Sequence, residues 1–161
     1  MITSNIHLGE EVNIDPTTSI NNVIIGNQVK IAKYCSIFGS ANEPLEIGDN
    51  SYIGMFSIVN GYAAKVTIGK NVSIAQRVNI MVDSGPNASP LMQQYYPLIK
   101  GSVKIGDHSW IGANSIIMPG VELGEFCVVA ANSFVDKSFP AYSVVGGNPA
   151  KLIKRIENDR N

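Results

Sequence analysis

The sequence predicts an all-β fold, a parallel β-helix of stacked coils. It carries a protruding loop at about residues 83–102 and ends in a C-terminal α-helix. Three observations predict the solenoid. Aliphatic residues recur every six positions along most of the chain. Gly or Ala follows most of them. A small residue or Val stands at the fifth place of each block. Period six is neither the 3.6 of a helix nor the 2 of an alternating strand, and it suits short strands joined by tight corners.

The blocks start at Leu8, Ile14, Ile25, Ile31, Ile47, Ile53, Ile68, Ile74, Ile80, Ile105, Ile111, Ile117, Leu123 and Val129. Eleven of these fourteen are followed by Gly or Ala, the exceptions being Asp15, Met81 and Met118. Gly and Ala are 26 of 161 residues, so chance places about two there. The aliphatic residue points into a narrow core. The Gly or Ala after it lets the backbone crowd at a corner where a larger side chain would clash. Cys35, Ser57, Ser109, Ser115, Cys127 and Ser133 fill fifth places and share the same interior. Three blocks close one triangular coil, and coils stack through backbone hydrogen bonds.

Two interruptions break the period. A short slip, residues 60–65, lies between Val59 and Ile68. A longer one runs from about Asp83 to Ser102 and must leave the coil at a corner. Loops of that length in compact domains usually carry function. Within it Ser89-Pro90 reads as a helix N-cap and N1 pair ahead of a short helix. Asn148-Pro149 repeats that signal, and Leu152, Ile153 and Ile156 give the following segment an apolar stripe, so a helix is expected there. The expected domain is therefore a β-helix over 1–147 with a helix and tail over 148–161.

Charge and composition exclude several functions. Twelve Lys and Arg against thirteen Asp and Glu leave −1, so there is no basic field for nucleic acid or an anionic membrane. No apolar run approaches the ~18 residues of a membrane span, so no membrane insertion is expected. The first ten residues lack a basic region and an apolar stretch, and a cytoplasmic setting is expected. Two cysteines are too few for a disulfide scaffold. Both fall on core positions and are expected to be inert. Two histidines and two cysteines on separate coils make no zinc set, and no metal is expected.

The segment from Ile105 to Ile156 carries four specific pieces: Trp110–Gly112 (WIG), Met118–Val121 (MPGV), Val129–Ser133 (VAANS) and Gly146–Lys151 (GGNPAK). With them, residues from about 45 to 156 resemble the hexapeptide-repeat acyltransferases, in particular O-acetyltransferases of sugars, polysaccharides and xenobiotics. The resemblance implies a left-handed helix, a homotrimer, and acetyl-CoA lying in a cleft between neighbouring subunits. It implies that Gly112, Ala113, Ala130 and Ala131 offer small side chains and backbone groups to the pantetheine arm, with Trp110 flanking the cleft. It places Lys151 and Lys154 near the nucleotide end of CoA, with Lys137 a further candidate. A wall of small residues admits a thin amide-rich chain, and cations meet phosphates at its end. The coil itself also demands small residues at these positions.

Acetyl transfer to a hydroxyl needs proximity, a proton acceptor and donors for the developing oxyanion. The family supplies the base as a histidine in the protruding loop. This chain has none between residues 8 and 107. His108 and Asp83 are the two candidates for the base. An unperturbed imidazole titrates near about 6.5, which suits the task, whereas a carboxylate is weak unless desolvated. The third possibility is that no protein base operates. Asn87, Gln93, Tyr95 and Tyr96 in the loop suit the faces and hydroxyls of a sugar or nucleotide-sugar acceptor. The rival readings are a xenobiotic acetyltransferase and a catalytically inactive binding module.

Overall fold

The computed structural model describes residues 4–157. The chain winds through three parallel sheets in rotation. The first sheet stacks Ile6–Leu8, Val23–Ile25, Leu45–Ile47, Val66–Ile68, Val103–Ile105 and Glu122–Leu123. The second stacks Asn13–Ile14, Lys30–Ile31, Tyr52–Ile53, Ser73–Ile74, Trp110–Ile111 and Val128–Val129, then Ser143–Gly147. The third runs from Ser19–Asn21 to Phe134–Val135. Every pairing within the coils is parallel and in register.

Twelve of the fourteen predicted block starts form the core; in the first coil Leu8 is 51% exposed and Ile14 is half-buried, since no coil covers them from below. Ile25, Ile47, Ile68, Ile105 and Leu123 stack in the first sheet and are at most 2% exposed. Ile53, Ile74, Ile111 and Val129 do the same in the second. Burying one such side chain is worth about 1.5–3 kcal/mol, so each column stabilises the stack through many equal contributions.

The corners explain the rest of the hexapeptide. The fourth residue of most blocks takes a left-handed conformation, as at Asn71 (φ 55°), Arg77 (φ 57°), His108 (φ 61°) and Asn132 (φ 61°). Asn adopts this region readily, but Arg, Phe and Tyr do so at a cost that coil stacking offsets. Gly112 allows close approach, because a Cβ there would fall 2.6 Å from the Ala131 nitrogen. Fifth-place hydroxyls join coils. Ser57 Oγ donates to the Ala75 carbonyl (3.1 Å) and accepts from the Val78 N–H (3.2 Å). Third-place carboxylates do likewise: Asp107 Oδ1 accepts from the Lys70 N–H at 2.8 Å. Buried side-chain polar atoms are thereby satisfied, and none among the described residues is left unpaired.

The expected C-terminal helix is corrected. Ala150–Arg155 is a strand, antiparallel to Ser143–Gly147, with Asn148 and Pro149 forming the turn between them. The spacing of Leu152, Ile153 and Ile156 mimics a helical stripe, but Leu152 and Ile153 are 51% and 60% exposed and face no core. The open edge of the second sheet offers a row of backbone partners, and pairing with it satisfies more groups than a short isolated helix would. Residues 158–161 of the expected tail lie outside the described residues. The protruding loop is as expected. It leaves the third sheet after Met81, pairs Asp83–Ser84 antiparallel with Ile99–Lys100, and holds a one-turn helix, Pro90–Gln93, capped by Ser89.

Candidate active site

The corner between the second and third sheets brings together four of the expected donor-binding residues. Gly112 and Ala113 lie directly beneath Ala130 and Ala131, joined by the Gly112 N–H to Val129 carbonyl bond and the Asn132 N–H to Ala113 carbonyl bond, both 2.8 Å. Gly112 is buried, Ala113 and Ala130 are half-buried, and Ala131 is exposed. The surface they leave is a narrow strip with only methyl groups projecting. It fits a thin, amide-rich chain and would not fit if any of these carried a long side chain.

Trp110 stands on the outer face of the second sheet, 57% exposed, in register with Ser73 on one side and Val128 on the other. The terminal strand carries Lys151 and Lys154, both exposed, opposite Gly146 and Val144. That strand borders the small-residue corner: a Cβ on Gly146 would fall 2.9 Å from Ala130 Cβ and 3.0 Å from Ile153 Cδ1. Lys137 is not part of this grouping. It follows the third sheet at the corner leading to the first sheet, with its ammonium 5.6 Å from the Phe139 ring centre.

The two base candidates stand on different edges. Asp83 follows the third sheet and is half-buried, and Asn60 Nδ2 donates to its Oδ1 at 3.4 Å. His108 sits at the next corner, between the first and second sheets. Its ring stacks on Phe126 (centroids 4.6 Å apart, planes at 14°), which stacks on Tyr142 (5.1 Å, 6°). One chain does not bring the two together. The Phe126 and Tyr142 column was legible in principle, since both occupy fourth places of successive coils. The Asn60 contact was not, since it depends on how the loop base folds.

The loop residues divide. Gln93 Nε2 donates to the Pro86 carbonyl at 3.2 Å, and the Asn87 N–H donates to the Gly85 carbonyl at 2.9 Å, so both help close the loop. Tyr95 and Tyr96 are 78% and 70% exposed and free to meet a ligand or another surface. Among the described residues no group of side chains could hold a metal ion. No described helix is long and apolar enough to cross a membrane. Burial raises the thiol pKa of Cys35 and of Cys127, as expected for inert core cysteines.

Comparison with known proteins agrees with this geometry. Residues 102–137 match the family model described as the hexapeptide repeat of succinyl-transferase. The chain is 33% identical to a dTDP-4-amino-4,6-dideoxy-D-glucose acyltransferase of Escherichia coli, over 91% of this chain and 80% of the relative. It is 35% identical to galactoside O-acetyltransferase of E. coli K12, over 78% of this chain and only 60% of that protein. Among solved structures, AntD, an N-acyltransferase from Bacillus cereus in complex with dTDP and 3-hydroxybutyryl-CoA, superposes with a TM-score of 0.79 at 28% identity. That match covers 92% of this chain and 82% of AntD. Repeat, coil geometry and relatives coincide, and the chain belongs to the hexapeptide-repeat acyltransferase family.

Proposed function

We propose that this acyltransferase moves an acetyl group from acetyl-CoA to a hydroxyl of a sugar or nucleotide sugar, as a cytoplasmic homotrimer serving polysaccharide biosynthesis. The observation that carries the reading is the strip at Gly112, Ala113, Ala130 and Ala131, bordered by Trp110 and by the strand of Lys151 and Lys154. The strip holds the pantetheine arm, and the two lysines meet the phosphates. Trimer formation is supported by the loop, where Leu91, Met92, Leu98 and Ile99 are all 46–73% exposed and need a partner surface.

In the reaction the acceptor oxygen bonds to the thioester carbon, the C–S bond breaks, and the hydroxyl proton passes through the base to the departing thiolate. Asp83 is the base in this reading. It lies at the root of the loop, and its carboxylate is partly shielded and oriented by Asn60. Backbone N–H groups at the coil corner meet the oxyanion.

A second reading has the same donor and a sugar amine as the nucleophile. It is favoured by the loop without histidine. A neutral amine attacks without first losing a proton, and Asp83 then need only receive one from the ammonium that results. The E. coli amino-sugar relative and AntD support it. The test is mass spectrometry of products from acetyl-CoA with matched hydroxyl and amino forms of dTDP-6-deoxyglucose and with free sugars. One added acetyl on a hydroxy sugar establishes the first reading. Acetylation of the amino form alone establishes the second. No acetylated sugar with either overturns both.

A further inference from the structure

The outer face of the second sheet continues below Trp110. Trp110, Ser73, Tyr52 and Lys30 stand in register on four successive strands. Strand spacing puts Tyr52 about 10 Å and Lys30 about 14 Å from Trp110. Two hollows open beside this column and share Met55. One, of about 320 Å³, is lined by Lys30, Lys33, Tyr52 and Asp15 among others. The other, of about 260 Å³, includes Phe56, Arg77 and Asn114. Asn114 follows Ala113 in the small-residue corner, so the groove runs on directly from the donor strip.

Its chemistry is particular. Lys30, Lys33 and Arg77 are exposed, and among the described residues none of them pairs with a carboxylate within 4.0 Å. Three cations gather there in a chain whose net charge is −1. Asp15, the carboxylate lining the first of these hollows, is held by the Thr17 N–H (3.0 Å) and hydroxyl (2.6 Å), and Glu11 lines a neighbouring hollow on the far side of Lys30. Tyr34 and Phe56 stack on each other at 5.1 Å, and Arg77 covers Phe56 at 5.7 Å. Tyr52 stacks on no described ring and is 43% exposed. An open aromatic face with cations one coil above and one coil below matches a planar base joined to a diphosphate.

We propose that this groove is the nucleotide subsite for the acceptor, in which Tyr52 stacks the base and Lys30, Lys33 and Arg77 hold the diphosphate of a nucleoside-diphosphate sugar. The sugar then points up the face toward Ser73 and Trp110, where the donor strip ends. The inference rests on the nucleotide-sugar form of the function proposed above.

Calorimetry with dTDP as the probe tests it on the full chain and on Tyr52→Leu, Arg77→Gln and the double variant Lys30→Gln/Lys33→Gln. All these side chains are exposed, so the variants should fold, which circular dichroism verifies. The expected result is dTDP binding by the unaltered protein and a loss of about tenfold or more in each variant. Acetyl-CoA affinity and sedimentation should be unchanged, and dTDP should still bind at saturating acetyl-CoA. Unchanged dTDP affinity in the variants, or no binding by the unaltered protein, overturns the proposal. Displacement of dTDP by acetyl-CoA also overturns it and assigns the groove to the donor. A change in sedimentation of the variants overturns it in favour of a subunit interface. Expected dTDP binding without transfer to any sugar would leave the groove standing and sink the transferase reading. Transfer to sugars without dTDP binding would do the reverse.

Discussion

Asp83 and His108 are separated by their positions in the coil, and the proposed choice of base rests on that. The His108 ring lies flat on Phe126 at a corner one sheet away from the loop. Asp83 stands at the root of the loop, where the proposed reaction needs its base. Replacing Asp83 by Asn is expected to lower kcat by about 100-fold, within the usual range for a positioned base, with acetyl-CoA affinity unchanged. His108→Ala is expected to keep turnover within about threefold and to lower Tm slightly through lost stacking. Steady-state kinetics on the two variants checks this, and the opposite ranking would reverse the assignment. The two thiols give a further expectation. Burial raises their folded-state pKa from the ordinary 9.0, so the unfolded chain surrenders the thiol protons first as pH rises. The stability they contribute is present below about pH 9 and is lost above it. Denaturant titrations of Cys35→Ser/Cys127→Ala beside the native sequence should show a shallower alkaline decline in the variant. Both cysteines were legible as core from their fifth-place positions, whereas the Asn60–Asp83 contact was legible from nothing local.

At the scale of elements, the hexapeptide rule reads out coils and fails at their ends. Inside the stack each block repeats the same demands, so the aliphatic at the first place and Gly or Ala at the second mark columns that the structure buries. Gly112 is the sharpest case, since its missing side chain is required by the coil above. Gly112→Val is expected to cost about 1–3 kcal/mol by overpacking, read as a fall in Tm with the circular dichroism shape retained. An unchanged Tm would show that the corner is looser than described. The terminal hairpin escaped the rule because Asn148-Pro149 reads equally as a helix start and as the tight turn it forms, and the spacing of Leu152 and Ile153 mimics a helical stripe. Their exposure also removes the helix from the account of Lys151 and Lys154, which now project from a strand beside Ala130. The loop helix was legible because Ser89-Pro90 is a local signal, and Ser89 Oγ accepts from the Met92 N–H as that signal requires.

At the scale of the whole molecule, one chain sets the proposed base and the proposed donor corner apart. The loop stands at one edge and the donor strip at another, and the loop's apolar residues are exposed. In the proposed trimer, one subunit's loop would lie over its neighbour's strip and close both deficits. Light scattering should return three chains per particle, and Tyr95→Asp/Tyr96→Asp should shift it toward one and abolish turnover together. Loss of turnover without dissociation would assign the tyrosines to the acceptor instead. In the proposed function the corner at Ala113 and Ala131 receives the acyl donor. Calorimetric titration of acetyl-CoA into the native chain and into Ala131→Leu tests it most directly. Binding by the native chain and a loss of at least about tenfold in the variant are expected, with Tm within a few degrees because Ala131 is exposed. Equal affinity for the two, or no binding by the native chain, would contradict it.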